Sequence, residues 1–124
     1  MSIKQLEGKT IREIKGLEEY NLEVLFICED GTEFKMHHYQ DCCENVAIEE
    51  YIGNLENIIG YEVLSASKRT EDRSSELRFG TMLWTFYIIE TRRGTLTIRW
   101  KGESNGYYSE EVTFENKENY GGVF

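Results

Sequence analysis

The chain is 124 residues long, contains no proline, and carries 14 Lys and Arg against 23 Asp and Glu, for a formal net charge of −9. That length predicts one domain, 1–124, whose core needs no disulfide or metal staple, and an aromatic content of 13% spread along the chain excludes a disordered polar tract. The acidic balance argues against nonspecific binding of duplex nucleic acid, which needs a broad basic face, and no apolar run approaches the roughly 18 residues of a membrane span.

No basic, apolar leader opens the sequence, so the protein is expected to stay in the cytoplasm. Three cysteines, two of them adjacent, make no disulfide framework; neighbours are poorly placed to bridge, and reduced thiols are expected. The negative charge is uneven. Residues 1–62 hold 5 Lys and Arg against 14 Asp and Glu, whereas 63–124 hold 9 of each. A locally basic stretch from Lys68 to Lys101 leaves room for a small anionic ligand, and the acidic first half could meet a basic surface on another protein.

In chain order, 10–16 and 20–31 read as strands, the second ending in Asp30-Gly31, a two-residue hairpin signal. That turn pairs Glu29 with Thr32, Ile27 with Phe34 and Leu25 with Met36. Alternation then puts His38 on the face of Phe34 and Met36, and His37 on the opposite face with Glu33 and Lys35. Residues 45–53 predict a further strand. One short helical element is expected over 54–60, capped by Asn54, stopped by Gly60, with Leu55, Ile58 and Ile59 inward. A strand resumes at Tyr61, and the polar stretch 69–80 predicts a long loop.

The last third predicts a meander of 81–90, 95–101 and 107–115. With Gly94 as a left-handed bulge after Arg92 and Arg93, Thr91 faces Thr95, Ile88 meets Ile98 and Phe86 meets Trp100. A further bulge near Gly102 or Gly106 brings Val112 opposite Trp100 and Phe114 opposite Ile98. One face is then core: Met82, Trp84, Phe86, Ile88, Leu96, Ile98, Trp100, Val112 and Phe114. The other carries Thr85, Tyr87, Thr97, Arg99, Lys101, Ser109, Glu111 and Thr113. The fold class is mainly β with this one minor helix, or α+β, its antiparallel sheets curled into a sandwich or partial barrel.

Three constellations carry chemistry. Tyr87 beside Arg99, with Lys101 near Thr85, makes a seat for a phosphate or planar base, although exposed sheets also use Tyr, Thr and Arg as ordinary strand formers. The loop 102–110 adds Ser104, Asn105, Tyr107 and Tyr108, whose glycine-flanked amides and paired rings suit an anion and a base; the competing explanation is a bulged turn shaped for φ alone. Its glycine spacing matches neither a P-loop nor a dinucleotide fingerprint. The block "HHYQDCC" pools His37, His38, Asp41, Cys42 and Cys43, weak candidates for a metal because no second ligand pair exists elsewhere. One of Cys42 and Cys43 is expected to be a small buried filler and the other to lie at the surface. No catalytic motif is complete, carboxylate pairs arise by chance among 23 acids, and no cofactor is expected.

The blocks "HHYQDCCE" and "RWKGESNGYYSE", within about 31–114, resemble a family of small uncharacterised domains of bacteriophages and of bacteria carrying mobile elements. The resemblance brings no established activity. It implies a short accessory protein that acts by binding, in a bacterial host cell, countering host defence. The expected function is therefore sequestration of a small nucleotide-like signal. The alternatives are an inhibitor that holds a host defence protein through its acidic surface and, less favoured, a small metal-dependent hydrolase using His37, His38, Asp41 and Cys42. A strongly faced sheet can leave an edge or patch needing cover, which keeps a homo-oligomer open.

Overall fold

Runs of alternating apolar and polar residues, uninterrupted by proline, build eight strands in a computed structural model that describes residues 2–116. These are β1 (Ile11–Lys15), β2 (Glu23–Cys28), β3 (Glu33–His37), β4 (Asn45–Ile52), β5 (Ser65–Asp72), β6 (Thr81–Thr91), β7 (Gly94–Ser104) and β8 (Thr113–Asn116). Among the described residues, helical structure is confined to single 3-10 turns at Ile3–Leu6, Leu55–Asn57 and Ser74–Glu76. No helix there is long and apolar enough to cross a membrane.

The strands form two antiparallel sheets, ordered β1-β2-β3-β8 and β4-β7-β6-β5, which do not close into a barrel. Their inner faces share one core. Val24, Phe26, Phe34, Met36 and Phe114 come from the first sheet, and Ile48, Tyr87, Ile89, Leu96, Ile98 and Trp100 from the second. The Trp100 indole N–H donates to Met36 Sδ at 3.2 Å, a contact that joins the sheets at the centre. The turn at Leu55–Asn57 follows the expected pattern: the Asn54 side chain caps it, Ile58 is fully buried, and Leu55 and Ile59 pack against the core.

Two registers differ from the alternation-based expectation by one residue. The first hairpin pairs Phe26 with Phe34 and Val24 with Met36, not Ile27 with Phe34. Its loop has three residues, Glu29 to Gly31, with Gly31 at φ +90° and Cys28 and Thr32 closing it. The longer loop puts the five most deeply buried hairpin residues, Val24, Phe26, Cys28, Phe34 and Met36, on one face, and burial outweighs the two-residue turn signal. In the β6-β7 hairpin, Arg92 and Arg93 alone form the turn, Thr91 faces Gly94, and Tyr87 pairs with Ile98. That slip turns β6 over: Thr85, Tyr87 and Ile89 are buried, and Trp84, Phe86 and Ile88 face outward, half-buried.

The expected three-stranded meander does not form. β7 already has β6 on one side and β4 on the other, so the chain after Ser104 crosses to the first sheet, where β8 pairs with β3. At the crossing, a Cβ on Gly102 would lie 2.6 Å from Glu110 Cβ, so the close approach requires glycine. The expected loop at 69–80 is shortened from its start, because β5 runs on to Asp72 as an edge strand against β6, with Arg69 opposite Phe86 and Glu71 opposite Trp84.

Candidate functional site

The block around "HHYQDCCE" is organised by a carboxylate. Glu44, whose side chain is fully buried, accepts from the Asp41 amide at 2.6 Å and the Cys42 amide at 3.1 Å, and its Oε1 lies 2.9 Å from His38 Nε2. The Asp41 amide first, then the His38 ring, then the Cys42 amide hold the Glu44 carboxyl at about 2, against the opposing effect of burial. His38 Nδ1 lies 2.7 Å from the Glu111 carbonyl. Each ring nitrogen of His38 therefore faces an oxygen, one from a side chain and one from the backbone. Glu44 lies on the β3-β4 connection and Glu111 on the β7-β8 connection, so one imidazole ties together the two places where the chain changes sheet.

His37 goes elsewhere. Its Nε2 is 2.6 Å from Glu115 Oε2, to which the Tyr39 hydroxyl also donates. Burial pushes the Glu115 carboxyl up, but Tyr39 and His37 together outweigh it and leave it below the usual carboxylate range. Asp41, Cys42 and Cys43 are exposed, and the bend at 42–43 joins the two cysteines in a disulfide. This corrects the expectation of reduced thiols with one of the pair buried: Glu44 fills the interior position that a cysteine was expected to take. The buried cysteine is Cys28, whose thiol is pushed up to about 11 by burial and then by Asp30, which disfavours a nucleophilic thiolate. Among the described residues, no three His, Cys, Asp or Glu side chains converge as a metal-ligand set.

The outer face of the second sheet keeps its aromatic and basic character with different rings. Tyr87 is 1% exposed, its hydroxyl donating to the Val112 carbonyl at 3.2 Å, and burial pushes its phenol well above the usual range. It is not beside Arg99, which stands opposite Phe86, and Lys101 stands opposite Trp84. The guanidinium carbons of Arg73, just after β5, and Arg99, on β7, each lie 4.3 Å from the Trp84 ring centre. Arg69 lies 4.3 Å from the Phe86 ring, and the two rings meet edge-on at 6.3 Å. Carboxylates are interleaved: Glu71 reaches Arg69 and Arg73, Glu76 reaches Arg73, Glu103 reaches Lys101 at 3.2 Å, and Glu50 reaches Arg99 only at 3.6 Å. Two buried donors on this face, Trp84 Nε1 and Arg99 Nε, have no acceptor among the described residues.

Sequence reasoning found Arg99 and Lys101 from the polar face of β7 but missed Trp84, Phe86, Arg69 and Arg73. The period-2 spacing of Arg69, Glu71 and Arg73 is the signal that could have extended β5 and placed them. The loop after β7 is shaped by its own side chains. The Ser104 hydroxyl accepts from the amides of Gly106 and Tyr108, and Asn105 Oδ1 accepts from the Tyr107 amide at 2.9 Å. Tyr107 is exposed and meets Tyr108 edge-on at 5.3 Å. Of the residues expected to bind a ligand, Arg99 and Lys101 share the outer face, Ser104, Asn105, Tyr107 and Tyr108 share the loop at its end, and Tyr87 lies in the core.

No curated protein and no solved structure shows significant similarity to the chain. Strands β1 to β7, both crossings and the Glu44-centred turn nevertheless fall within a single family match: the chain belongs to the family described as a domain of unknown function (DUF7448), whose model matches residues 4–114.

Proposed function

We propose that the protein is a non-enzymatic binding module that holds a small nucleotide-like anion on the outer face of the second sheet. In the proposed setting, a phage or prophage gene product acts in the cytoplasm of a bacterial host and counters defence by withdrawing such a signal. The observation that carries this reading is the pair of donors without acceptors, Trp84 Nε1 and Arg99 Nε, on a face where three guanidiniums lie against two aromatic rings. Buried donors are nearly always satisfied, so two neighbouring exceptions mark a place where an acceptor-rich ligand would gain. A base can stack on a guanidinium plane, and a phosphate can take the place of Glu50, which holds Arg99 loosely. The test is titration with mononucleotides and cyclic dinucleotides, read by tryptophan fluorescence. Arg99→Ala or Trp84→Phe should weaken binding at least about tenfold without unfolding the chain. Binding that is absent, or indifferent to both changes, rejects the proposal.

A second reading, an inhibitor of a host protein, draws on the acidic half. Tyr20 and Leu22 are 75% and 61% exposed among Glu18, Glu19 and Glu23, and Tyr20 sits at φ +68° with its amide N–H donating to the Ile48 carbonyl at 2.7 Å. A non-glycine residue held in that region, presenting an exposed ring, is a feature of contact surfaces. Association through this segment should weaken with added salt and with Tyr20→Ala; salt-independent association counts against it.

A further inference from the structure

The tight β6-β7 turn places two arginines at one tip, and their surroundings differ from those of the arginines on the outer face. The guanidinium carbons of Arg92 and Arg93 lie 5.3 and 5.6 Å from the same ring, that of Tyr61. Both are exposed, and among the described residues neither makes an ion pair, whereas Arg69, Arg73, Arg99 and Lys101 each have a carboxylate partner. Arg92, Tyr61, Gly60 and Leu64 line a depression of about 310 Å³ that also includes Glu62.

The tip is braced. The buried Thr91 hydroxyl donates to the Asn57 carbonyl and accepts from the Arg93 amide at 3.1 Å, and Gly94 packs close against Asn57. The Leu64 amide donates to the Glu90 carbonyl at 2.8 Å, fixing the other wall to the same hairpin. Two guanidiniums held over one ring repel each other, and a bridging oxyanion relieves that repulsion while accepting from both forks.

We propose that Arg92, Arg93 and Tyr61 form a phosphoryl-binding site independent of the outer face. Eight residue steps along β6 and into its turn separate Trp84 from Arg92, about 26 Å, so the two sites do not share a ligand group. Glu62 sets the selectivity: it disfavours weakly bound anions, and its removal should tighten binding.

The experiment is a titration of isotopically labelled protein with inorganic pyrophosphate at constant ionic strength, followed by amide NMR shifts. Saturable shifts confined to 60–64 and 91–94 are expected, and Arg92→Gln or Arg93→Gln should weaken them at least about tenfold. Glu62→Gln should strengthen binding, and Arg78→Gln, which removes an exposed cation at the other end of β6, should leave it unchanged. Co-sedimentation with vesicles of phosphatidylcholine and phosphatidylserine, lost in Arg92→Gln, would assign the phosphoryl group to a lipid headgroup. Pyrophosphate binding without co-sedimentation assigns it to a soluble ligand. Shifts that do not saturate, or that Arg78→Gln weakens as much as Arg92→Gln, overturn the proposal.

Discussion

The orientation of β6 can be tested with two truncations, Tyr87→Ala and Phe86→Ala. Tyr87 is 1% exposed, stands opposite Ile98, and anchors the β7-β8 crossing through its hydroxyl. Removing a buried aromatic side chain costs about 3–5 kcal/mol, because transfer free energy is lost and the cavity only partly collapses. Phe86 is half-buried beneath Arg69 on the outer face. Its truncation gives up part of that burial and a surface cation–π contact, about 1–2 kcal/mol together. Urea unfolding followed by circular dichroism, with equal slopes for both variants, reads the difference directly. Tyr87→Ala should shift the midpoint at least twice as far as Phe86→Ala. In the register that alternation predicts, Phe86 is core and Tyr87 surface, and the order reverses. A larger cost for Phe86→Ala would refute the slip and, with it, the placement of Trp84 and Arg99 on one surface.

The Val112 carbonyl accepts from both the Tyr87 hydroxyl and Lys68 Nζ. Tyr87→Phe and Lys68→Met should each cost about 1 kcal/mol, and the double variant more than their sum, since only then is the carbonyl left unsatisfied. Glu44 has its carboxyl depressed to about 2, so its contribution to stability is fully present above the usual carboxylate value and is lost as pH falls from there toward 2. Acid titration of unfolding should show this loss, and Glu44→Gln should be destabilised at neutral pH but flatter across that window. Gly31→Ala, at a left-handed φ in open space, should cost about 1–2 kcal/mol. Gly102→Ala, in an allowed conformation but against Glu110, should cost about 1–3 kcal/mol through overpacking, and Glu110→Gly should partly restore it.

Local chemistry in the sequence determined most of the elements. Apolar periodicity located β1 to β4, Asn54 and Gly60 bracketed the short 3-10 turn, and Gly31 marked the β2-β3 tip, whereas Gly94 belongs to β7 and not to a left-handed bulge. The polar side of β7 is equally legible, so alternation alone puts Arg99 and Lys101 on an outer face, while Phe86 and Trp84 as their cross-strand neighbours depend on register. Parity on β6 is not legible. Met82, Leu83, Trp84, Phe86, Tyr87, Ile88 and Ile89 are apolar on both sides of the strand, so alternation cannot say which side is buried. That choice depends on what covers each face: the first sheet on one side, Arg69, Arg73 and Arg99 on the other. The histidines show the same division. Adjacency put His37 and His38 on opposite faces, but Glu115 and Glu44 as their partners come from tertiary structure, Glu115 lying 78 positions away in the chain from His37. Strand partnership was decided the same way. β4 and β8 could each have paired with β7, and only the packing of two sheets around Trp100 and Met36 settled which did, because hydrogen bonds between strands are alike along any edge while burial is not.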